Sequence, residues 1–187
     1  DTLVEMQQSS VLHGSPIMWA EKAGKAEGRV CLNLSFGDDG YNQFVDREKS
    51  LRLYERGTLP GLADIAEMAC KQQEKYPGVV LSGGTVDAAS AYNLVPQDVS
   101  SAKLHCTLLK VATPDGEKTV AVIYLVGIFG DCMMGDIFCR GSNAIHVQHN
   151  ADGHTSVTFI DDGTIVDHPD LIEPSIEGYL TLLRALF

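Results

Sequence analysis

The sequence has no C-x-x-C pair: its five cysteines, Cys31, Cys70, Cys106, Cys132 and Cys139, are scattered and odd in number. Zinc ribbons and disulfide frameworks need paired spacings, so neither a metal nor a disulfide scaffold is predicted. A reducing setting, cytoplasmic or another intracellular compartment, fits such thiols best. Basic residues are also scarce, with 14 Lys+Arg against 25 Asp+Glu and a formal net charge of −11. Duplex nucleic acid and anionic membrane surfaces both draw affinity from clustered Lys and Arg, so neither is an expected partner. Long apolar runs are missing as well. The longest, Thr119 to Phe129, falls short of the ~18 residues a spanning helix requires, so no membrane span is expected and the run reads as a core strand. The chain starts at Asp1 rather than Met, which leaves room for a processed leader, and the sequon Asn33-Leu34-Ser35 matters only in a secretory setting.

What is present is the material of a globular domain. The chain has 187 residues, 44% hydrophobic and 21% charged. A chain of this length buries roughly 70% of the surface its unfolded form exposes, enough to fold without cofactors. Residues 1–28 carry Gly14, Pro16, Gly24 and Gly28 without a clear period and read as an irregular arm that packs through Ile17, Met18 and Trp19. Residues 29–187 read as a single domain. Val30, Leu32, Leu34 and Phe36 alternate with polar neighbours, the pattern of a half-buried strand. Residues 41–56 are open between helix and strand, with Glu48 and Arg52 at helical spacing; their basic cluster of Arg47, Lys49, Arg52 and Arg56 is interleaved with acids and reads as a solvated face.

Leu62, Ile65, Ala66, Ala69, Cys70 and Tyr76 predict a helix over 61–76, stopped by Pro77-Gly78. Val79-Val80-Leu81 reads as a short strand and 85–94 as a second helix. Residues 103–112 and 118–129 predict two strands joined by a turn at Pro114-Asp115-Gly116, with the second strand central in its sheet. Residues 143–149, 154–160 and 164–167 predict a meander with turns at Asn150 to Gly153 and Asp161 to Gly163. From Pro174 the stripe Ile176, Tyr179, Leu180, Leu183 and Leu186 predicts a closing amphipathic helix. The last 47 residues hold Arg184 as their one basic residue against seven acids, an acidic end suited to solvent, a cation or a basic partner.

Three segments carry candidate chemistry. In the first, Ser82, Gly83, Gly84 and Thr85 sit between a predicted strand and a predicted helix, where backbone N–H groups and hydroxyls converge on an anion. The run Leu81-Ser82-Gly83-Gly84 resembles the sugar-phosphate-binding turn of the gluconolactonase and glucosamine-phosphate deaminase family, which implies a phosphorylated ligand. In the second, Gly127 to Asp136, the glycine-punctuated loop after the long strand offers Asp131, Cys132 and Asp136 as base, nucleophile or ligands. The third is the histidine set, with His146 and His154 expected at a cross-strand diagonal.

These elements predict an α+β fold: a largely antiparallel sheet of five to seven strands with two or three packed helices, a mixed α/β sheet being the alternative. No complete catalytic constellation can be assembled, so whether the chain is an enzyme stays open and no cofactor is expected. The leading expectation is a non-catalytic binding, regulatory or assembly domain whose partner is another protein or a second copy. The run from Asp162 through Leu180 resembles the strand-then-helix close of SMI1/KNR4-type binding domains, which implies the same class. The alternative is a small enzyme or ligand-binding protein holding an anionic metabolite at Ser82 to Thr85, with Asp131, Asp136 and His146 as further site residues.

Overall fold

A computed structural model describes residues 14–21, 24, 28–53 and 59–187; the first 13 residues of the expected arm and Arg56 lie outside them. The fold is α+β, with five α-helices and seven strands among the described residues. Every pairing between named strands is antiparallel, and the strands form three sheets of two, three and two strands rather than one. The chain divides into two compact units, 1–50 with 92–134 and 51–91 with 135–187.

The first unit is built from hairpins. β1 (Ile17–Glu21) pairs with β2 (Gly28–Leu32), matching Ile17 to Leu32 and Glu21 to Gly28. Part of the expected arm is therefore strand, and its apolar side chains face outward: Trp19 is 58% exposed. The predicted 29–36 strand stops at Leu32, and Leu32 and Leu34 join Ile128 in a small core flanked by Tyr41 and Tyr124. The 41–56 ambiguity resolves as a 3₁₀ turn at Tyr41–Gln43 and α1 (Arg47–Leu53). α2 (Leu62–Lys75) belongs to the second unit. A short α3 (Val99–Ala102) follows, capped by Asp98, whose Oδ1 accepts the Ser100 N–H at 2.8 Å. β4 (Cys106–Thr113) and β5 (Gly116–Ile123) then form the predicted hairpin, with Gly116 at φ +115° in its turn. β5 is not central. Its sheet has two strands, and the outer part of the ladder is exposed, so the apolar run marks a hairpin rather than a buried strand.

The second unit is a three-stranded sheet, β3 (Ser82–Asp87), β7 (Asp162–Asp167) and β6 (Ser156–Phe159), with β7 in the middle. The strand expected at 79–81 lies three residues later, and the helix expected from Thr85 does not form: β3 runs to Asp87 and only a 3₁₀ turn follows at Ala91–Leu94. The glycines of β3 fit a strand because Ile176 packs over Gly84; a Cβ there would come within 2.7 Å of Ile176 Cδ1. α2 packs against β6 and β7, close to its expected limits but turned on its axis. It buries Met68 and Gln72, whereas Leu62 is 86% exposed.

The strand expected at 143–149 is part of α4 (Met134–Ala151). Alternation over seven residues misleads here, because the buried residues Phe138, Ser142, Ile145 and His149 recur at helical spacing. Gly153 is a helix stop rather than a hairpin turn: at φ +93° it donates to Asn150 O at 3.2 Å, and His154 N–H reaches back to His149 O at 3.2 Å, the paired bonds of a Schellman cap. α5 (Ile172–Leu186) packs its predicted stripe on β3 and β7, closing a core of Val86, Ile145, Ile165 and Tyr179.

Candidate functional site

The expected site residues separate into four settings. Asp131 lies in the first unit; Ser82 to Thr85, Asp136 and His146 lie in the second. Asp136 sits buried in the first turn of α4, where a carboxylate favours the positive end of the helix dipole. Ser82 to Thr85 are strand residues, so the helix N-terminus expected to face an anion there is not formed.

Asp131 and Cys132 are held in a polar clamp. Asp131 Oδ1 accepts the Met133 N–H at 2.8 Å, and its Oδ2 lies 3.4 Å from His105 Nε2, both side chains being almost fully buried. That contact is not aligned as a hydrogen bond, leaving His105 Nε2 without one, while Nδ1 bonds the Gln97 amide oxygen. Asn42 spans the loop, donating to Gly130 O at 2.7 Å and accepting from the Cys132 N–H at 3.1 Å. Burial, and then the Asp131 charge, push the Cys132 thiol up, against the pull of Arg47. Tyr41, edge-on to His105, is pushed up to about 12 by burial, Asp131 and Cys132. Thiol and phenol both stay protonated at neutral pH. The loop is pinned by these groups, and its cysteine is not an activated nucleophile.

His146 lines a cleft. It lies on α4 facing α2 and β6, in a cleft of about 300 Å³ shared with Asp64, Glu67, Lys71, Asn150 and Thr155. Its own burial pushes its imidazole down, towards the neutral form. Asn150, one turn along, does something the sequence did not reveal. Its Oδ1 accepts the Ser156 N–H at 2.9 Å and its Nδ2 donates to Ser156 O at 3.3 Å, so one side-chain amide closes the backbone of the β6 edge as a neighbouring strand would. The sequence predicts Asn150 in a turn; the i,i+4 bond from Gln148 to Asp152 beside it is the local sign of helix.

Behind the cleft lies a buried polar network. His149 Nε2–H donates to Ser175 O at 2.8 Å, so Nδ1 accepts from the Ser156 hydroxyl at 2.9 Å. His154 stacks on His149 with ring centroids 4.7 Å apart and donates from Nδ1 to Ser175 Oγ at 2.8 Å. Ser175 Oγ in turn donates to Asp167 Oδ2 at 2.7 Å. Serine, histidine and aspartate thus meet, but in the order His154, Ser175, Asp167. The hydroxyl proton points at the carboxylate rather than at a histidine, and Ser175 is fully buried, which is a structural arrangement and not a Ser-His-Asp triad. His146 and His154 lie on a helix and in a loop, not diagonally across a hairpin. Among the described residues no group of three or more metal-ligating side chains converges.

Compared with known proteins, the chain matches no family model and no curated protein.

Proposed function

We propose that this chain is a non-catalytic binding domain that acts through protein–protein contacts made by the hairpins of the first unit. The observation that carries this reading is the apolar exposure of those hairpins: Trp19 on β1 and Leu108 on β4 are 58% and 59% exposed, Val30 is paired with Trp19, and Met18, Val111 and Val120 are exposed on the opposite faces of the two ladders. A two-stranded ladder is marginal in water by itself, and covering its apolar side chains stabilises both the ladder and the contact. Tryptophan is enriched among the residues that dominate binding energy. The inactive setting of Cys132 and Ser175 supports the same reading, and the five free thiols support a reducing compartment.

The test places a photo-cross-linking residue at Leu108, with Leu62, an equally apolar and more exposed position on α2, as control. The expected result is a discrete adduct with another polypeptide from Leu108 and none from Leu62, lost in Trp19→Ser. Equal labelling from both sites overturns the reading. A second reading, a small ligand-binding protein, is favoured by the His146 cleft. Two carboxylates, Asp64 and Glu67, face Lys71 there, and Lys71 is already paired to Glu67 at 2.6 Å, so the cleft suits a neutral or cationic polar ligand rather than a phosphorylated one.

A further inference from the structure

The two edges of the second unit's sheet are treated differently. The alternation of an antiparallel ladder fixes which residues bond inward and which outward. Val166 N–H bonds Thr155 O and Ala88 N–H bonds Asp161 O, so the even residues of β7 face β6 and its odd residues face β3. It follows that Ser82, Gly84 and Val86 pair with β7, while Gly83, Thr85 and Asp87 turn their N–H and C=O groups to the free edge. Among the described residues these outward groups have no backbone or side-chain partner. The β6 edge, by contrast, is closed at Ser156 by Asn150.

Natural sheets blunt exposed edges with lysine, proline or bulges, and β3 has none of these. Gly83 is not demanded by packing within the unit: a Cβ there would make only an ordinary 3.7 Å contact with Ile165 O, unlike the clash at Gly84. A glycine in a strand without an internal reason marks a place where another backbone comes close. The edge also has a charge. Asp87 is paired with Asp162, and Asp161 adjoins it, three carboxylates at the far end of β3. Their mutual repulsion is relieved by a cation on an incoming chain.

We propose that β3 takes up an extended, basic polypeptide segment as an additional strand, bonded to Gly83, Thr85 and Asp87, with its Lys or Arg set against Asp87, Asp161 and Asp162. Main-chain bonds supply the affinity and the carboxylates set polarity and register. A second copy of this chain is the poorer occupant, since each copy carries a net charge of −11. The surface is distinct from the hairpins of the first unit, and the two readings fail independently.

The probe is a capped seven-residue peptide of alternating threonine and valine with one terminal arginine, followed by amide hydrogen exchange and backbone amide shifts in the whole chain. In the free protein the amides of Gly83, Thr85 and Asp87 exchange fast and those of Gly84 and Val86 slowly; equal protection of both sets overturns the open edge. At millimolar peptide, 83, 85 and 87 gain protection while 84 and 86 do not change, and an absence of any response there overturns the proposal. Replacing the arginine with glutamate, or Asp87→Lys in the protein, weakens binding of the original pair about threefold; unchanged affinity in both overturns the basic assignment. Thr85→Pro removes one outward N–H without touching a β7 bond and is expected to abolish the response with the circular dichroism retained. A peptide N-methylated on its protein-facing amides makes the same test without a variant. A concentration-dependent dimer abolished by Thr85→Pro would give the edge to a second copy and overturn the basic partner.

Discussion

His149 carries its proton on Nε2 because the Ser175 carbonyl accepts there and the Ser156 hydroxyl donates to Nδ1. Charging that ring turns the Ser156 bond round, Nδ1–H then donating to the hydroxyl oxygen, and leaves a cation in a fully buried site. Burial pushes His149 below the ordinary histidine value, against the bond to the Ser175 carbonyl and the Asp152 charge and with the neighbouring His154 and His146 adding to it, while His146 is itself pushed down by burial. The sign follows: the unfolded chain binds protons near pH ~6.5 and the folded one does not, so stability is full above that pH and declines as pH falls below it. Urea midpoints measured between neutral pH and pH 5 are expected to fall, with a shallower slope in His149→Phe than in the parent. A second residue-scale expectation concerns Gly130. At φ +112° it passes so close to Leu32 that a Cβ would lie 2.0 Å from Leu32 O, so Gly130→Ala is expected to cost at least about 2 kcal/mol in chemical unfolding.

At the scale of elements, the edge of β6 depends on a side chain from α4. Asn150→Ala leaves Ser156 N–H and C=O without their partner, and a loss of about 1–2 kcal/mol is expected by denaturant titration, with faster amide exchange confined to Ser156. A cost spread evenly over the sheet would mean that Asn150 matters through packing instead. The elements legible in the sequence were those whose signals were local and mutually consistent. α2 had its stop at Pro77-Gly78, the β4–β5 hairpin its Pro-Asp-Gly turn, and α5 a continuous stripe. Where two signals competed, the shorter-range one misled. The alternation of 143–149 was overruled by the burial period of an 18-residue helix, and the Gly83-Gly84 break was overruled by Ile176 lying across Gly84.

For the whole molecule, the chain passes between its two units at 50/51, 91/92 and 134/135, so each unit is assembled from separated stretches of sequence. Neither can be excised as a continuous segment. The single-domain organisation proposed for residues 29–187 predicts one calorimetric unfolding transition whose enthalpy matches the van't Hoff value; two resolved transitions would give each unit its own stability.

The sequence alone determined the α+β class, the net charge of −11, and the elements whose caps and turns lie within a few residues of one another. It also brought forward His146 and the Ser82 to Thr85 segment, although for reasons the structure replaces. That Asn150 caps β6 at Ser156 while Gly83, Thr85 and Asp87 turn outward on β3, and which hydroxyl meets which histidine, were settled only by tertiary structure. Asn150 and Ser156 lie on different elements, as do Ser175, Asp167 and His154, and periodicity reports a residue's face but not its partner across the fold. Strand order is of the same kind: β7 lies between β3 and β6 because packing with α5 and α2 covers that arrangement, and no local pattern in residues 82–87 states that their other side has no strand partner among the described residues.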